Sequence, residues 1–148
     1  MIHRLTATAV AALLLASCGG YGSGNNYAPH PGMGGNGAPA SSTPAITATI
    51  LGAPGFATPG GMTLYVFSAD GMNVSNCNAT CITIWPPFMA TAGAQPSGGF
   101  SVIMRSDGSH QWAFNGHPLY TFTGDTMAGQ ANGQNVTHFG GTFTVARP

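Results

Sequence analysis

The chain has 148 residues and a formal net charge of zero, and only 4% of its residues are charged. Its three basic residues cannot form the positive patch that binding of nucleic acid requires, so nucleic-acid binding is excluded. The chain contains no glutamate, no lysine and no Gly-x-Ser-x-Gly motif. We therefore expect that it is not an enzyme, and we assign no catalytic residue.

The N-terminal residues have the features of an export signal. Met1–Arg4 carries one positive charge, and an apolar run follows from Leu5 to Ala16. That run is too short to span a bilayer, which takes about 20 apolar residues. The tetrapeptide Leu15-Ala16-Ser17-Cys18 resembles the bacterial lipobox, which implies cleavage before the cysteine and lipidation of its sulfur. We predict that residues 1–17 are a lipoprotein signal peptide and that Cys18 carries the lipid.

A lipidated cysteine would determine where the protein is found. Several acyl chains on Cys18 would hold the chain on a membrane without any transmembrane helix. Gly19 follows the cysteine, as it does in lipoproteins that bacteria with two membranes send to the outer one. The sequence therefore predicts an exported protein with a lipid anchor in the cell envelope, in the outer membrane if the organism has two.

The segment after the signal differs in composition from the rest of the chain. Residues 18–44 are dominated by Gly, Pro, Asn and Ser and show no apolar period. Such a segment buries too little surface to offset the entropy of ordering it. We predict a flexible tether with a mean length of roughly 30 Å, followed by a folded domain over residues 45–148.

The domain contains an internal repeat. Gly61–Asp70 reads GMTLYVFSAD, and Gly116–Asp125 reads GHPLYTFTGD, so five of ten positions are identical at a constant offset of 55. The same offset aligns Phe88 with Phe143. Internal repetition of this kind predicts one domain built from two related halves.

Short runs of β-branched and aromatic residues, bounded by Gly, Pro, Asn or Asp, predict strands throughout the domain. These runs are Ile46–Leu51, Met62–Ser68, Cys81–Trp85, Phe100–Arg105, Gln111–Phe114, Leu119–Thr123 and Thr142–Ala146. Asn115-Gly116 predicts a hairpin, because both of its residues accept positive φ, and Asp107-Gly108 predicts a tight turn. The fold class is all-β, a small antiparallel sandwich or barrel.

Each half contributes a leucine, a tyrosine, a phenylalanine and an aspartate to the repeated motif. In a strand the tyrosine and phenylalanine share one face, and the leucine faces the other way. The aromatic residues then fill a core, and each aspartate fixes the following turn. Alternatively, the aromatic face binds a ligand, or the aspartates bind a hard cation. The residues concerned are Leu64, Tyr65, Phe67, Asp70, Leu119, Tyr120, Phe122 and Asp125.

Two cysteines lie close together in the first half. Cys77 and Cys81 have C-x3-C spacing, which is neither the thioredoxin-like nor the haem-attachment spacing. Two near cysteines in an oxidising compartment most simply form a disulfide. The alternative is a soft-metal site for copper, with thioether and imidazole partners. Those partners would come from Met62, Met72, Met89, Met104, Met127, His110, His117 and His138.

The order of these motifs is similar to that of the bacterial "secreted repeat" lipoproteins, which carry a Tyr-x-aromatic-x-x-Asp motif. The matching elements run over residues 61–125: the first repeat, the two cysteines, Trp85-Pro86-Pro87, and the second repeat after Asp107-Gly108. Members often have a tryptophan late in the second repeat, where this chain has His138-Phe139-Gly140. The resemblance implies export and a two-repeat architecture, but it implies no reaction.

Two functions fit the sequence. The first is a non-enzymatic envelope lipoprotein whose β domain binds a protein, a polysaccharide or a small ligand, or serves a structural role. The second is a periplasmic redox or copper-handling protein that uses Cys77 and Cys81 with nearby methionine or histidine. For the first function, which we favour, we expect no cofactor and no metal.

Overall fold

The computed structural model describes residues 41, 42 and 44–148. The expected signal peptide, Cys18 and nearly all of the expected tether lie outside these residues. The described elements are β1 (Ile46–Ile50), β2 (Ala53–Ala57), β3 (Tyr65–Phe67), α1 (Thr80–Ile84), β4 (Phe100–Met104), β5 (His110–Phe114), β6 (His117–Pro118), β7 (Val136–His138) and β8 (Gly141–Val145). The prediction of an all-β fold is confirmed, with one short helix added. No helix in the described residues is long and apolar enough to cross a bilayer.

The strands form three small antiparallel sheets, with the orders β1-β2, β3-β8-β7 and β4-β5-β6. Two-residue turns with positive φ close three of the hairpins: Leu51-Gly52, Asn115-Gly116 and Phe139-Gly140. Positive φ at both turn residues matches the right-handed twist of the flanking strands. The hairpin predicted from Asn115-Gly116 is therefore confirmed.

The two repeats exchange their last extended segments, which are β8 in the second repeat and the bridged residues after α1 in the first. β3 belongs to the first repeat, but it pairs with β8, which lies in the second repeat after its Gly116–Asp125 motif. In the other half, Pro87 of the first repeat pairs with Tyr120 of the second. Tyr65 and Tyr120 join the halves directly, because each backbone N–H donates to the other's carbonyl, at 2.8 and 2.9 Å.

Backbone hydrogen bonds join three segments into a ring, and the domain contains two such rings. Each ring takes two segments from one repeat and the third from the other. In the first ring, Phe56 donates to Ala146, Ala146 donates to Leu64, and Leu64 donates to Phe56, at 2.8, 2.8 and 2.9 Å. The second ring has the same pattern and the same three distances, and its members are Trp112, Phe88 and Leu119. Neither repeat closes a ring on its own.

Side chains on the two faces of these segments form two hydrophobic clusters. One is centred on Tyr65, Tyr120, Trp85 and Phe143, and the other contains Leu64, Leu119, Phe88 and Trp112. Strand alternation predicted this separation of the tyrosines from the leucines.

The strand predicted over Cys81–Trp85 is wrong, because this segment contains the helix Thr80–Ile84. Its threonines and isoleucines favour a strand, but Trp85 N–H donates to Cys81 O, four residues back, at 2.8 Å. A disulfide to Cys77 holds the first turn of this helix. Tertiary and covalent contacts override the propensity of five residues.

Other strands differ from the predictions in extent. The strand predicted over Met62–Ser68 narrows to Tyr65–Phe67, and the one predicted over Leu119–Thr123 is reduced to two isolated bridges at Tyr120. The strands β2 and β7 were not predicted, and the strand after Asn115-Gly116 lies at His117–Pro118 (β6), before the predicted Leu119–Thr123. The sequence of β2 is Ala-Pro-Gly-Phe-Ala, and its proline and glycine are unfavourable in strands.

Candidate functional site

The tyrosine of each repeat bonds the aspartate of the other. Tyr65 Oη donates to Asp125 Oδ2 at 2.5 Å, and Tyr120 Oη donates to Asp70 Oδ2 at 2.7 Å. Both tyrosines are completely buried. The repeated motif indicated that these tyrosines and aspartates are important. It did not predict that each tyrosine would bond the aspartate of the other repeat.

Each aspartate also holds the loop that follows it. Asp70 Oδ1 accepts a hydrogen bond from Asn76 N–H at 2.7 Å, and Asp125 Oδ1 accepts one from Asn132 N–H at 2.8 Å. The two asparagine side chains return to carbonyls beside the aspartates, those of Ala69 and Gly124. In each carboxylate, one oxygen therefore accepts from a tyrosine Oη–H and the other accepts from an asparagine backbone N–H.

An aromatic stack lies at the junction of the two halves. The rings of Trp85 and Phe143 are 3.7 Å apart and nearly parallel, and Phe122 stacks on Trp85 at 4.3 Å. Tyr120 pairs with Pro87, and Tyr65 pairs with Val145, so Pro87 and Val145 hold equivalent positions. Trp85 and Phe143 each lie two residues before these positions and are therefore counterparts. The second repeat thus has its late aromatic residue at Phe143, and the offset that aligned Phe143 with Phe88 does not hold in the structure.

The pairing around Tyr120 extends into a buried polar network that Tyr65 lacks. Tyr120 Oη is 2.7 Å from Ser75 Oγ, and Arg105 Nη1 donates to Ser75 Oγ at 2.7 Å and to Gln111 Oε1 at 2.6 Å. Arg105 Nη2 donates to Cys77 O at 2.7 Å. Arg105 is 4% exposed, and a buried guanidinium needs such partners to offset its desolvation. No sequence signal singled out Arg105 or Ser75.

Burial changes the acid–base properties of these groups. It raises the pKa of Asp70 above its usual range, although Asn76 and Tyr120 donate to the carboxylate and oppose the shift. It also raises the pKa of both tyrosine hydroxyls well above the ordinary value. Both phenols are therefore protonated donors at neutral pH.

The raised pKa of Asp70 predicts a stability difference that depends on pH. The folded state favours the protonated carboxyl of Asp70. The contribution of Asp70 to stability is therefore complete below the pKa of about 3.9 that it has in the unfolded chain, and it is lost as pH rises through the pKa that it has in the folded protein. We expect the free energy of unfolding of the native protein, relative to Asp70→Asn, to fall as pH rises through this range. Urea unfolding of both proteins at several pH values measures that difference.

Asp107→Asn is the matched control for this experiment. Hydrogen bonds from Ser109 lower the pKa of Asp107, so its contribution has the opposite sign and is lost as pH falls. A difference between native protein and Asp70→Asn that stays constant or increases with pH would contradict the assignment.

The two cysteines form a disulfide, as the sequence predicted. Cys77 and Cys81 are both buried. Three of the methionines considered as copper ligands, Met72, Met104 and Met127, are instead strongly exposed. In the disulfide form neither cysteine sulfur is a thiolate, which is the form that binds a metal.

A cleft of about 510 Å³ lies beside Ser41 and opens partly to solvent. Its apolar lining comes from both repeats: Pro59, Met62, Pro86, Phe88 and Phe122. Volumes of roughly 300–1,000 Å³ with mainly apolar walls are typical of small-molecule sites. Ser41 is held at this position, because its N–H donates to Met89 O at 2.8 Å and its carbonyl accepts from Thr91 N–H at 2.9 Å. The sequence did not predict the cleft.

Comparison with known proteins agrees with the repeat architecture. A family model described as "secreted repeat of unknown function" matches residues 55–89 and 101–147, which is more than half of the chain. No curated protein and no solved structure gives a significant match. The two matched regions contain the crossed tyrosine–aspartate pairs and the exchanged strands, and the chain belongs to this family of secreted repeat proteins.

Proposed function

We propose that this protein is a lipid-anchored envelope lipoprotein whose β domain is a non-enzymatic binding module. Membership of a secreted repeat family supports export, and the lipobox-like residues ending at Cys18 support the anchor. Acyl chains on that cysteine would keep the domain at the membrane surface.

The observation that carries the binding role is the apolar cleft. Three of the four motif aromatics, Tyr65, Tyr120 and Phe67, are buried in the core and do not form an exposed ligand face. The crossed hydrogen bonds of the two aspartates serve the same structural purpose. The fourth motif aromatic, Phe122, is partly buried and lines the cleft. The cleft, by contrast, is a concave apolar surface that the core does not fill, and concave apolar surfaces are the usual ligand sites.

A redox or copper-handling role is the second candidate, and the buried Cys77–Cys81 disulfide does not favour it. Thiolate exchange requires access of an attacking thiol to one sulfur. A count of free thiols in the oxidised mature protein separates the two candidates. Two free thiols together with stoichiometric copper would favour the second.

Changing the anchor residue tests the proposed location. Cys18→Ser removes the sulfur that would carry the lipid, so we expect incorporation of radiolabelled or clickable fatty acid to disappear and the protein to leave the membrane fraction. Ser17→Ala is the matched control, because it keeps a small residue before the cysteine and should retain both label and location. A Cys18→Ser variant that stays membrane-bound would refute the anchor.

A further inference from the structure

None of the described residues that line the cleft beside Ser41 is charged. Its walls are formed by prolines, a methionine and aromatic rings, and the polar residues among them are Ser41, Thr58, Thr121 and Thr123. A charged ligand group would lose hydration here without gaining an ion-pair partner. The buried part of any ligand must therefore be uncharged.

The threonine hydroxyls of the cleft bond to the protein itself. Thr121 Oγ1 donates to Pro86 O at 3.3 Å, and Thr123 Oγ1 donates to Ile84 O at 3.1 Å. Thr58 Oγ1 accepts a hydrogen bond from Met62 N–H at 3.2 Å. Thr121 and Thr123 thus use their one hydroxyl hydrogen on protein carbonyls, so the acceptor groups of a buried peptide or sugar would find no donor on these two side chains, which is unfavourable. A hydrocarbon chain carries no such groups.

The cleft also occurs where the first repeat departs from the second. Five residues, 58–62, separate the paired positions Ala57 and Thr63 in the first repeat. The equivalent pair in the second repeat, Ala113 and Pro118, is separated by four, including the tight Asn115-Gly116 turn. The longer loop supplies Pro59 and Met62 to the cleft. The ring of hydrogen bonds does not require the longer loop, since the second ring closes in the same way with the shorter one.

We infer that the cleft binds the acyl chain of a single-chain lipid from the envelope membrane, with its head group in solvent at the open side. The inference rests on the proposed function, because the predicted anchor would bring the cleft to a lipid surface. The 23 residues from Cys18 to Ala40 precede the cleft residue Ser41. A chain of that length reaches at most about 80 Å, so the anchored domain can meet the membrane. The apolar lining is limited to Pro59, Met62, Pro86, Phe88 and Phe122 around about 510 Å³, so the second chain of a diacyl lipid would stay outside the cleft.

A fluorescence titration with cis-parinaric acid tests the inference on the mature chain, residues 18–148, carrying Cys18→Ser and prepared without detergent. We expect saturable binding of one probe per chain. Lysophosphatidylcholine and dodecanol should displace the probe as anionic fatty acids do, because none of the described lining residues carries a charge that would select one head group. This chain has no anchor, so the titration and the Cys18→Ser localisation experiment are independent of each other. Absence of probe binding would not change the localisation result, and absence of a lipid on Cys18 would not change the titration.

Two variants alter the cleft, and a third serves as the control. Met62→Asp places a charge in the lining, and Thr123→Trp fills the cleft from an exposed position; each should weaken probe binding at least tenfold. Met104→Asp makes the same change at a methionine that is 73% exposed and outside the cleft, and it should bind as the native chain does. Melting curves must show that the cleft variants remain folded.

Three results would overturn the inference. One is the absence of saturable binding, and another is equal loss of binding in Met62→Asp and Met104→Asp. The third is displacement of the probe by a synthetic peptide of residues 27–40 but not by lysophosphatidylcholine, which would make the preceding segment of the chain the occupant.

Discussion

Tyr65→Ala and Tyr120→Ala should each lower the free energy of unfolding by about 3–5 kcal/mol, the usual cost of truncating a buried aromatic residue. Both side chains are fully buried, and each donates to an aspartate of the other repeat. Since a domain of this size is stable by only about 5–15 kcal/mol, either change should move the urea midpoint strongly. Equilibrium urea unfolding followed by tryptophan fluorescence measures both values.

The hydroxyl groups of the two tyrosines contribute to the free energy of unfolding separately from the rings, and by unequal amounts. Tyr65→Phe leaves Asp125, which is 5% exposed, without its phenol donor. Tyr120→Phe does the same to Asp70, but that carboxylate is partly exposed and can be hydrated. Loss of a partner to a buried acceptor costs about 1–3 kcal/mol. We therefore expect Tyr65→Phe to be the more destabilising of the two.

Phe139→Ala is the control for both pairs of variants, because it removes an aromatic ring that is 39% exposed. It should cost far less than either tyrosine truncation. Midpoints of Tyr65→Ala and Tyr120→Ala that match the native protein would show that these tyrosines are not structural, and would return them to the role of a ligand face.

Local patterns predicted much of the fold, because they depend on few residues. The Asn115-Gly116 hairpin follows from the positive φ that both residues accept, and the two faces of the motif follow from strand alternation. The helix over Thr80–Ile84 could not be predicted in this way, since its β-branched residues favour a strand and a disulfide holds its first turn. Strand β2 was missed because pairing with β1 stabilises an unfavourable Ala-Pro-Gly sequence.

The candidate site was less predictable than the fold. The repeat indicated which tyrosines and aspartates matter, but the exchange of partners depends on contacts 50 and 60 residues apart. Arg105 is one of few charged residues, yet nothing local shows that it is buried against Ser75 and Gln111. The cleft arises from one additional loop residue in the first repeat and from segments of both repeats, so no continuous stretch of sequence encodes it.

The exchange of strands predicts that neither repeat folds alone. Division of the chain in the exposed loop between Gln95 and Pro96 would leave β3 without β8 and Phe88 without Leu119. Each fragment would also lose part of the core, because the cluster around Tyr65 and Trp85 includes Phe143 from the other fragment. Chains of about 50 residues have little area to bury, and here each fragment also lacks part of both hydrophobic clusters.

We expect the isolated fragments 41–95 and 96–148 to show unfolded circular dichroism spectra, and an equimolar mixture to recover the native near-ultraviolet signal and a cooperative melt. A mixture in which the second fragment carries Tyr120→Ala is the control, and it should recover little, because Tyr120 forms the backbone and side-chain links between the repeats. Cooperative melting of either fragment by itself would contradict the exchange. The two halves would then be independent units, and the crossed tyrosine–aspartate pairs would be a contact between folded bodies instead of the bonds that create one.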